Sequence, residues 1–232
     1  MLILGIDTST SAVAVAVSDG TTVLARAERL DPRAHTEALA PLVRDVLTGA
    51  GATPADLTDV AVGTGPGPFT GLRVGLVTAA VLGHALGVPV HGLCSLDALA
   101  QAAVAGSWSG AAGRPRDVLV ATDARRKEVY WARYAVRPDT GGRGAARARR
   151  LEGPHVDRPA DLPEEVRALP TAGRGPLLHP ALLPHAVGPL DVDAGVLLEV
   201  AVARLGAGEP MPVEPLYLRR PDALTSAERA AR

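Results

Sequence analysis

The chain has 232 residues, 47% of them hydrophobic and 21% charged, enough for one large domain or two small ones with a packed core. Its 24 Lys and Arg nearly balance 25 Asp and Glu, so a formal charge of -1 excludes the global basic excess with which a protein grips a polyanion unaided. Cys94 stands alone, which excludes an internal disulfide and a cysteine-built zinc cluster, and a reducing cytoplasm is the expected compartment.

MLILGIDTST lacks a basic stretch ahead of an apolar one, and no run of eighteen apolar residues occurs, so neither a signal peptide nor an ordinary membrane span is expected. Leu2 to Ile6, Ala12 to Val17 and Thr22 to Leu30 read as three strands joined by short turns, an antiparallel meander. From Thr36 to Thr48, Leu39, Leu42, Val43, Val46 and Leu47 form one apolar helical stripe, stopped by Gly49 and Gly51. Val60 to Gly63 is a short buried strand, Thr70 to Leu86 a second helix with Thr70 as its cap, and Val88 to Leu93 another strand. Ser95 to Val104 is a third helix, capped by Ser95. Three meander strands followed by alternating helices and strands predict an α/β fold of the ribonuclease-H-like kind, with a first lobe over residues 1–107.

Gly106 to Arg116 reads as a linker, and a second, smaller lobe is expected over residues 115–232. It opens with strands at Val118 to Thr122 and Glu128 to Val136 around the turn Asp123-Ala-Arg-Arg-Lys. Residues 137–150, rich in Gly and Arg, read as a flexible loop that could touch RNA phosphate. Beyond Pro154, prolines leave short strands and one helix, Asp193 to Leu205, before an extended tail in which Tyr217 and Leu218 pack back on the body. No internal repeat is visible in the residues.

Two segments could meet phosphate. Asp7-Thr8-Ser9-Thr10-Ser11 follows the first strand, where a carboxylate and small hydroxyls suit a phosphate or hydrated magnesium, or simply an Asx turn. Gly63-Thr-Gly-Pro-Gly-Pro-Phe-Thr-Gly-Leu-Arg-Val-Gly75 lacks the Gly-Lys-Ser/Thr of a P-loop, and Pro66 and Pro68 remove N–H donors. Thr70 and Arg73 remain candidate contacts; a cation in a first helical turn opposes the dipole and calls for an anionic or carbonyl partner.

Gly71, Gly75, Ala79, Gly83 and Gly87 recur at every fourth position. Three interior glycines cost roughly 2–3 kcal/mol of helix propensity, which close approach by another backbone would offset. Leu72 and its aliphatic neighbours make this helix apolar all round, so either the sheet and the 36–48 helix bury it or a partner completes its cover.

DTST, GPGPFTGLRVG, DARRKEVY and PLYLR, in that order, resemble the TsaB family, which serves the bacterial synthesis of threonylcarbamoyladenosine beside the tRNA anticodon. The resemblance implies two actin-like lobes and no catalysis by this chain. It implies a homodimer when alone and a heterodimer with a TsaD-like catalytic subunit, alongside a TsaE-like ATPase, with tRNA met only in the complex and no membrane. Leu39, Val43, Leu47, Gly71, Leu72, Gly75, Ala79 and Gly83 would form the interface. No cofactor of its own is expected; ATP or ADP with magnesium enters only at the partner interface. Where TsaD carries a His-x-x-x-His metal pair, Ser95 and Leu99 stand here, so no metal site is expected. Pro68 departs from the family's usual Ser. An actin-like ATPase or small-molecule kinase is the alternative, weakened because Asp123-Ala-Arg-Arg and Gly173-Arg-Gly175 are poor second phosphate loops. A metalloprotease lacks its histidines.

Overall fold

The structure is a computed structural model and describes residues 1–31, 35–107, 117–137 and 146–219. Most of the expected linker, and residues 138–145 of the expected loop, lie outside the described residues.

Alternating residue size decides how the first sheet is covered. Strands β1 (Ile3–Asp7), β2 (Ala12–Ser18), β3 (Val23–Leu30), β4 (Asp59–Gly63) and β5 (Val90–Leu93) lie in the order β3-β2-β1-β4-β5. β1 to β3 are antiparallel, with Ile6 opposite Val15, whereas β4 and β5 run parallel to β1. Along β2, Val13, Val15 and Val17 face a layer made by α1 (His35–Gly49) and α2 (Phe69–Leu86). Ala14 and Ala16 face the opposite layer, where α3 (Ser95–Ser107) and α6 (Ala194–Gly206) pack. Small residues there let α6 come close: a Cβ on Gly5 would lie 2.7 Å from Leu198 Cγ.

The second sheet has β6 (Asp117–Asp123), β7 (Val129–Arg137), β8 (Arg147–Asp157) and β9 (Thr171–Ala172) in the order β8-β7-β6-β9. β6 to β8 are antiparallel and β9 is parallel to β6. This repeats the order and sense of β3-β2-β1-β4, a duplication invisible in the residues. Short helices α4 (Glu164–Arg167) and α5 (Gly175–Leu178) flank β9. Arg147 to Arg150, expected in a loop, instead open β8.

α3 lies between the sheets, with Leu96, Leu99, Ala103 and Val104 fully buried beside Val118, Val120 and Ala132 of the second sheet. α6 does not stay in the second lobe. Asp193 caps it by accepting from Gly195 N at 2.7 Å, and Leu197 and Leu198 then join the cluster beneath β1 and β2. The tail returns too: Gly92 N donates to Met211 O and Leu216 N to Thr64 O, both at 2.9 Å.

α2 carries the largest departure from expectation. Its small-residue ridge faces this chain's own sheet: Leu72, Gly75, Ala79 and Gly83 are buried, as are Leu39, Val43 and Leu47 of α1. The close backbone approach belongs to β1 and β5, since a Cβ on Gly75 would lie 2.5 Å from Thr8 Oγ1 and one on Gly83 2.2 Å from Val90 Cγ2. These seven residues therefore hold α1 and α2 in place and leave no surface for a partner; Gly71 is half-buried. What α2 shows to solvent is the opposite face, with Phe69 47%, Val77 55% and Val81 61% exposed. α2 also starts differently. Pro68 occupies its N-cap with no side-chain bond, its carbonyl accepting from Leu72 N at 2.9 Å, and Thr70 lies inside the helix. By length and mean hydropathy α2 could cross a bilayer, unlike the expectation from apolar runs, yet its inner face seals the sheet.

Gly75→Ala should therefore destabilise the isolated chain. The added methyl meets Thr8 at 2.5 Å, and overpacking of about 1–3 kcal/mol outweighs a propensity gain of roughly 1 kcal/mol. A urea midpoint equal to that of the unmodified chain, read by circular dichroism, would mean the ridge has room to spare.

Candidate functional site

The topological duplication sets two matching turns across a cleft. Asp7 closes β1 and Asp123 closes β6, the first strand of each sheet. In both turns the carboxylate accepts from a backbone N–H two residues on: Ser9 N to Asp7 Oδ1 at 2.8 Å, and Arg125 N to Asp123 Oδ1 at 2.7 Å.

The first turn is closed. Asp7, Thr8 and Ser9 are buried. Asp7 Oδ1 also accepts from Ser9 Oγ at 2.7 Å, and Oδ2 from Ser95 Oγ at 2.6 Å. Ser95 Oγ in turn accepts from Gly65 N at 3.2 Å, so this hydroxyl braces β1 against the Gly63–Gly67 segment rather than capping α3. No Cβ fits at Gly63, where it would overlap Asp7 Oδ2. Thr8 Oγ1 donates to Gly71 O at 2.8 Å and accepts from Gly75 N at 3.0 Å, pinning the start of α2 to β1. Leu99, on the turn of α3 after Ser95, is fully buried.

The second turn is held in an unusual shape. Arg125, Arg126 and Lys127 have φ of 63°, 51° and 63°, a left-handed run that costs non-glycine residues about 1 kcal/mol or more apiece. Glu128 N closes it on Arg125 O at 2.9 Å, and the tail's Arg219 reaches the Ala124 carbonyl at 2.5 Å and the Glu128 carboxylate at 3.2 Å.

Between the turns lies a cleft of about 150 Å³ lined by Thr8, Ser9, Thr70, Asp123, Arg174 and Asp191 among others. Arg174 lies bidentate on Asp191, Nε at 2.9 Å from Oδ1 and Nη2 at 2.5 Å from Oδ2. Such a volume suits a phosphate-sized anion and falls well short of the ~300 Å³ at which small-molecule pockets begin. Sequence reasoning missed the Arg174–Asp191 pair. The only hint was Arg174 between two glycines after a short strand.

The expected phosphate residues thus divide. Thr8, Ser9 and Thr70 border the cleft, Asp7 is sealed beneath it, and Arg73 is elsewhere. The Arg73 guanidinium lies 5.1 Å from the Phe69 ring centroid, and Phe69 meets Tyr217 at 5.1 Å, so among the described residues its partner is an aromatic face. Burial pushes the Cys94 thiol up to about 12, which keeps it protonated and unreactive near neutral pH.

Burial raises the Asp7 carboxyl above the ordinary 3.8, while the hydrogen bonds from Ser95 and Ser9 pull it down. The folded state then binds the proton more tightly than the unfolded one, and stability falls as pH rises from 3.8 through the raised value. Asp7→Asn, which keeps an acceptor for Ser9, should flatten that part of the urea-stability profile. Asp7→Ala strands the Ser9 and Ser95 donors and should cost about 1–3 kcal/mol. An Asn variant whose profile parallels that of the unmodified chain would assign the slope to another group.

The profile of the family described as TsaD, tRNA N6-adenosine threonylcarbamoyltransferase, matches residues 29–166. An uncharacterized protein of Mycobacterium tuberculosis is 44% identical over 225 residues, covering 95% of this chain and 93% of that one. The tRNA threonylcarbamoyladenosine biosynthesis protein TsaB of Escherichia coli is 44% identical over 134 residues, 58% of this chain and 55% of that protein. Among solved structures, YeaZ from Pseudomonas aeruginosa superposes with a TM-score of 0.76 at 28% identity, covering 94% of this chain and 100% of that one. A second Pseudomonas aeruginosa structure, of an uncharacterized protein with similarity to peptidase YeaZ, gives 0.77 at 30% identity, covering 94% and 99%. With an actin-like fold and these relatives, the chain belongs to the TsaD family and, within it, to the TsaB group.

Proposed function

We propose that this chain serves tRNA threonylcarbamoyladenosine biosynthesis as a non-catalytic subunit that docks on and organises a TsaD-type threonylcarbamoyl transferase. One observation carries the docking role: α2 is sealed on its glycine side and bare on its other, with Phe69, Val77 and Val81 open to solvent. The exposed stripe Phe69, Arg73, Val77, Val81 advances by four residues per step, the spacing at which one helix lays a ridge into another's groove. The Tyr217 ring lies tilted against Phe69, with the planes at 42°, and widens the apolar surface. Chemistry supports the non-catalytic reading: Asp7 is tied to Ser95 and Ser9, and Leu99 offers no ligand atom.

In this reading the same face pairs two copies when the chain is alone, a TsaE-like ATPase joins the complex, tRNA is met only there, and the setting is the cytoplasm with no membrane contact. Nucleotide, as ATP or ADP with magnesium, binds only at the partner interface. The competing reading, an actin-like ATPase or small-molecule kinase, draws on the hydroxyl-lined cleft; its volume of about 150 Å³ argues against a whole nucleotide.

Val77→Glu/Val81→Glu should leave the isolated chain folded, since both positions are exposed. It should weaken the complex with the TsaD-like subunit by roughly a hundredfold, because each carboxylate would be buried unpaired. Size-exclusion chromatography of the mixed subunits reads this directly. A complex that survives the double variant removes α2 from the interface, and tight ATP–magnesium binding by the lone chain in calorimetry would favour the kinase reading.

A further inference from the structure

The layers of the molecule leave one sheet face partly bare. α1 and α2 cover one side of the first sheet, and α3 separates the first sheet from the second. On the outer side of the second sheet Leu162, Val166 and Leu183 pack on Leu119, Ala121, Val129 and Trp131. That cluster ends there. Beyond it the outer face continues over the last residues of β7 and the first of β8, and arginine dominates it.

The strand register places these side chains. Across the β7–β8 ladder Tyr134 pairs with Arg150 and Val136 with Ala148, and all four turn inward: Tyr134, Val136 and Ala148 belong to the cluster around α3, and Arg150 reaches Asp97. The pleat turns the alternate residues outward. There Arg137 pairs with Arg147 and Ala135 with Arg149, and the three arginines are exposed. Arg133 stands on the same face; Asp117 Oδ2 and Glu152 Oε2 approach its Nε at 3.9 and 3.8 Å, beyond hydrogen-bond reach. Among the described residues no carboxylate lies within ion-pair distance of Arg137, Arg147 or Arg149. Four arginines thus share this face with two carboxylates.

Edge protection does not account for the pattern. Charge on an open edge strand discourages pairing with another chain, which explains Arg147 and Arg149 on β8. β7 is an interior strand, yet its Arg137 stands directly opposite Arg147. Like charges so placed destabilise a sheet, and an anion from outside would relieve them. Two residues along a strand span about 7 Å, so Arg147 and Arg149 match an anion that repeats along its length. Tyr130, Trp131 and Tyr134 of this sheet are at most 5% exposed, which leaves no platform on which an unpaired base would stack. A flat face of guanidinium groups without aromatics fits the phosphates of a base-paired RNA helix, met without regard to sequence.

We propose that Arg137, Arg147 and Arg149 form a contact for the phosphate backbone of a tRNA stem, used when the chain is in complex with its TsaD-like subunit. The inference rests on the docking reading, and the two are compatible in space. α2 lies beyond the first sheet and α3, so a subunit seated on α2 leaves the outer face of the second sheet open. Three side chains on a chain of formal charge -1 are too few to hold RNA unaided, so the contact adds to binding by the complex and creates none in the lone chain.

The test is to assemble the complex, check its elution, and titrate it with labelled tRNA by fluorescence anisotropy over a range of salt concentrations. Arg137→Gln/Arg147→Gln/Arg149→Gln should weaken tRNA binding by the complex at least tenfold at low salt and lower the slope of log affinity against log salt by about 2, whereas lysine at all three positions keeps most of the affinity. The three positions are exposed, so the variant complex should elute as the unmodified one does. An intact variant complex with unchanged affinity and slope overturns this inference alone. Failure of the unmodified subunits to associate overturns the docking reading and this inference with it. Arginine-dependent binding of the lone chain to phosphatidylserine vesicles would make the face a membrane surface and overturns it as well.

Discussion

A single buried carboxylate organises the first lobe. Asp7 sits at the end of the central strand β1, and its two oxygens accept three hydrogen bonds, two from Ser9 in the turn that follows it and one from Ser95 of α3, whose hydroxyl in turn accepts from the Gly65 backbone. The neighbouring Thr8 performs the same service for α2. A carboxylate taken out of water is tolerated only when its acceptor sites are filled, so β1, α2 and α3 must meet there together or not at all. Asp7, Thr8 and Ser9, which could have cradled a phosphate, are thereby tied into the scaffold.

The duplication extends this logic to the second lobe with a different outcome. Asp123 repeats the Asx geometry of Asp7, but the turn after it is built from Arg125, Arg126 and Lys127 in left-handed conformation. Nothing in local propensity favours that run; it is held by the Arg219 strap from a tail that is itself hydrogen-bonded to β5 and to the segment after β4. The tail therefore joins the two lobes, as do α3 between the sheets and α6 crossing beneath β1 and β2.

Much of this was legible in the residues, and most of what was not depends on contacts distant in sequence. The Val/Ala alternation of β2, the stripe of α1 and the punctuation by glycine and proline carry local information, and they gave the strand and helix order directly. The partner of Ser95 is 88 residues away and those of Thr8 are 63 and 67 residues away, distances at which no periodicity speaks. Ser95 therefore looked like a cap and DTST like a phosphate loop. Composition misled at Arg147 to Arg150, where arginine density suggested a loop. The alternation of Ala146, Ala148 and Arg150 with Arg147 and Arg149 is that of an edge strand whose alanines pack inward, charged on its open side as edge strands tend to be.

The glycine ridge shows where a correct physical argument can still point the wrong way. Periodicity identifies a face, and the propensity penalty identifies close approach, but neither says which side of the helix the approaching backbone lies on. Thr8 and the β5 residue Val90 supply it from within. Because the glycines let α2 sink onto the sheet, the side chains on its far face are the ones that stand clear. A helix apolar all round, pressed on one side by its own fold, must present aliphatic surface on the other. The burial of Gly75 and Gly83 and the exposure of Val77 and Val81 are thus one fact about the orientation of α2. The ridge decides which face of α2 meets solvent without being part of that face.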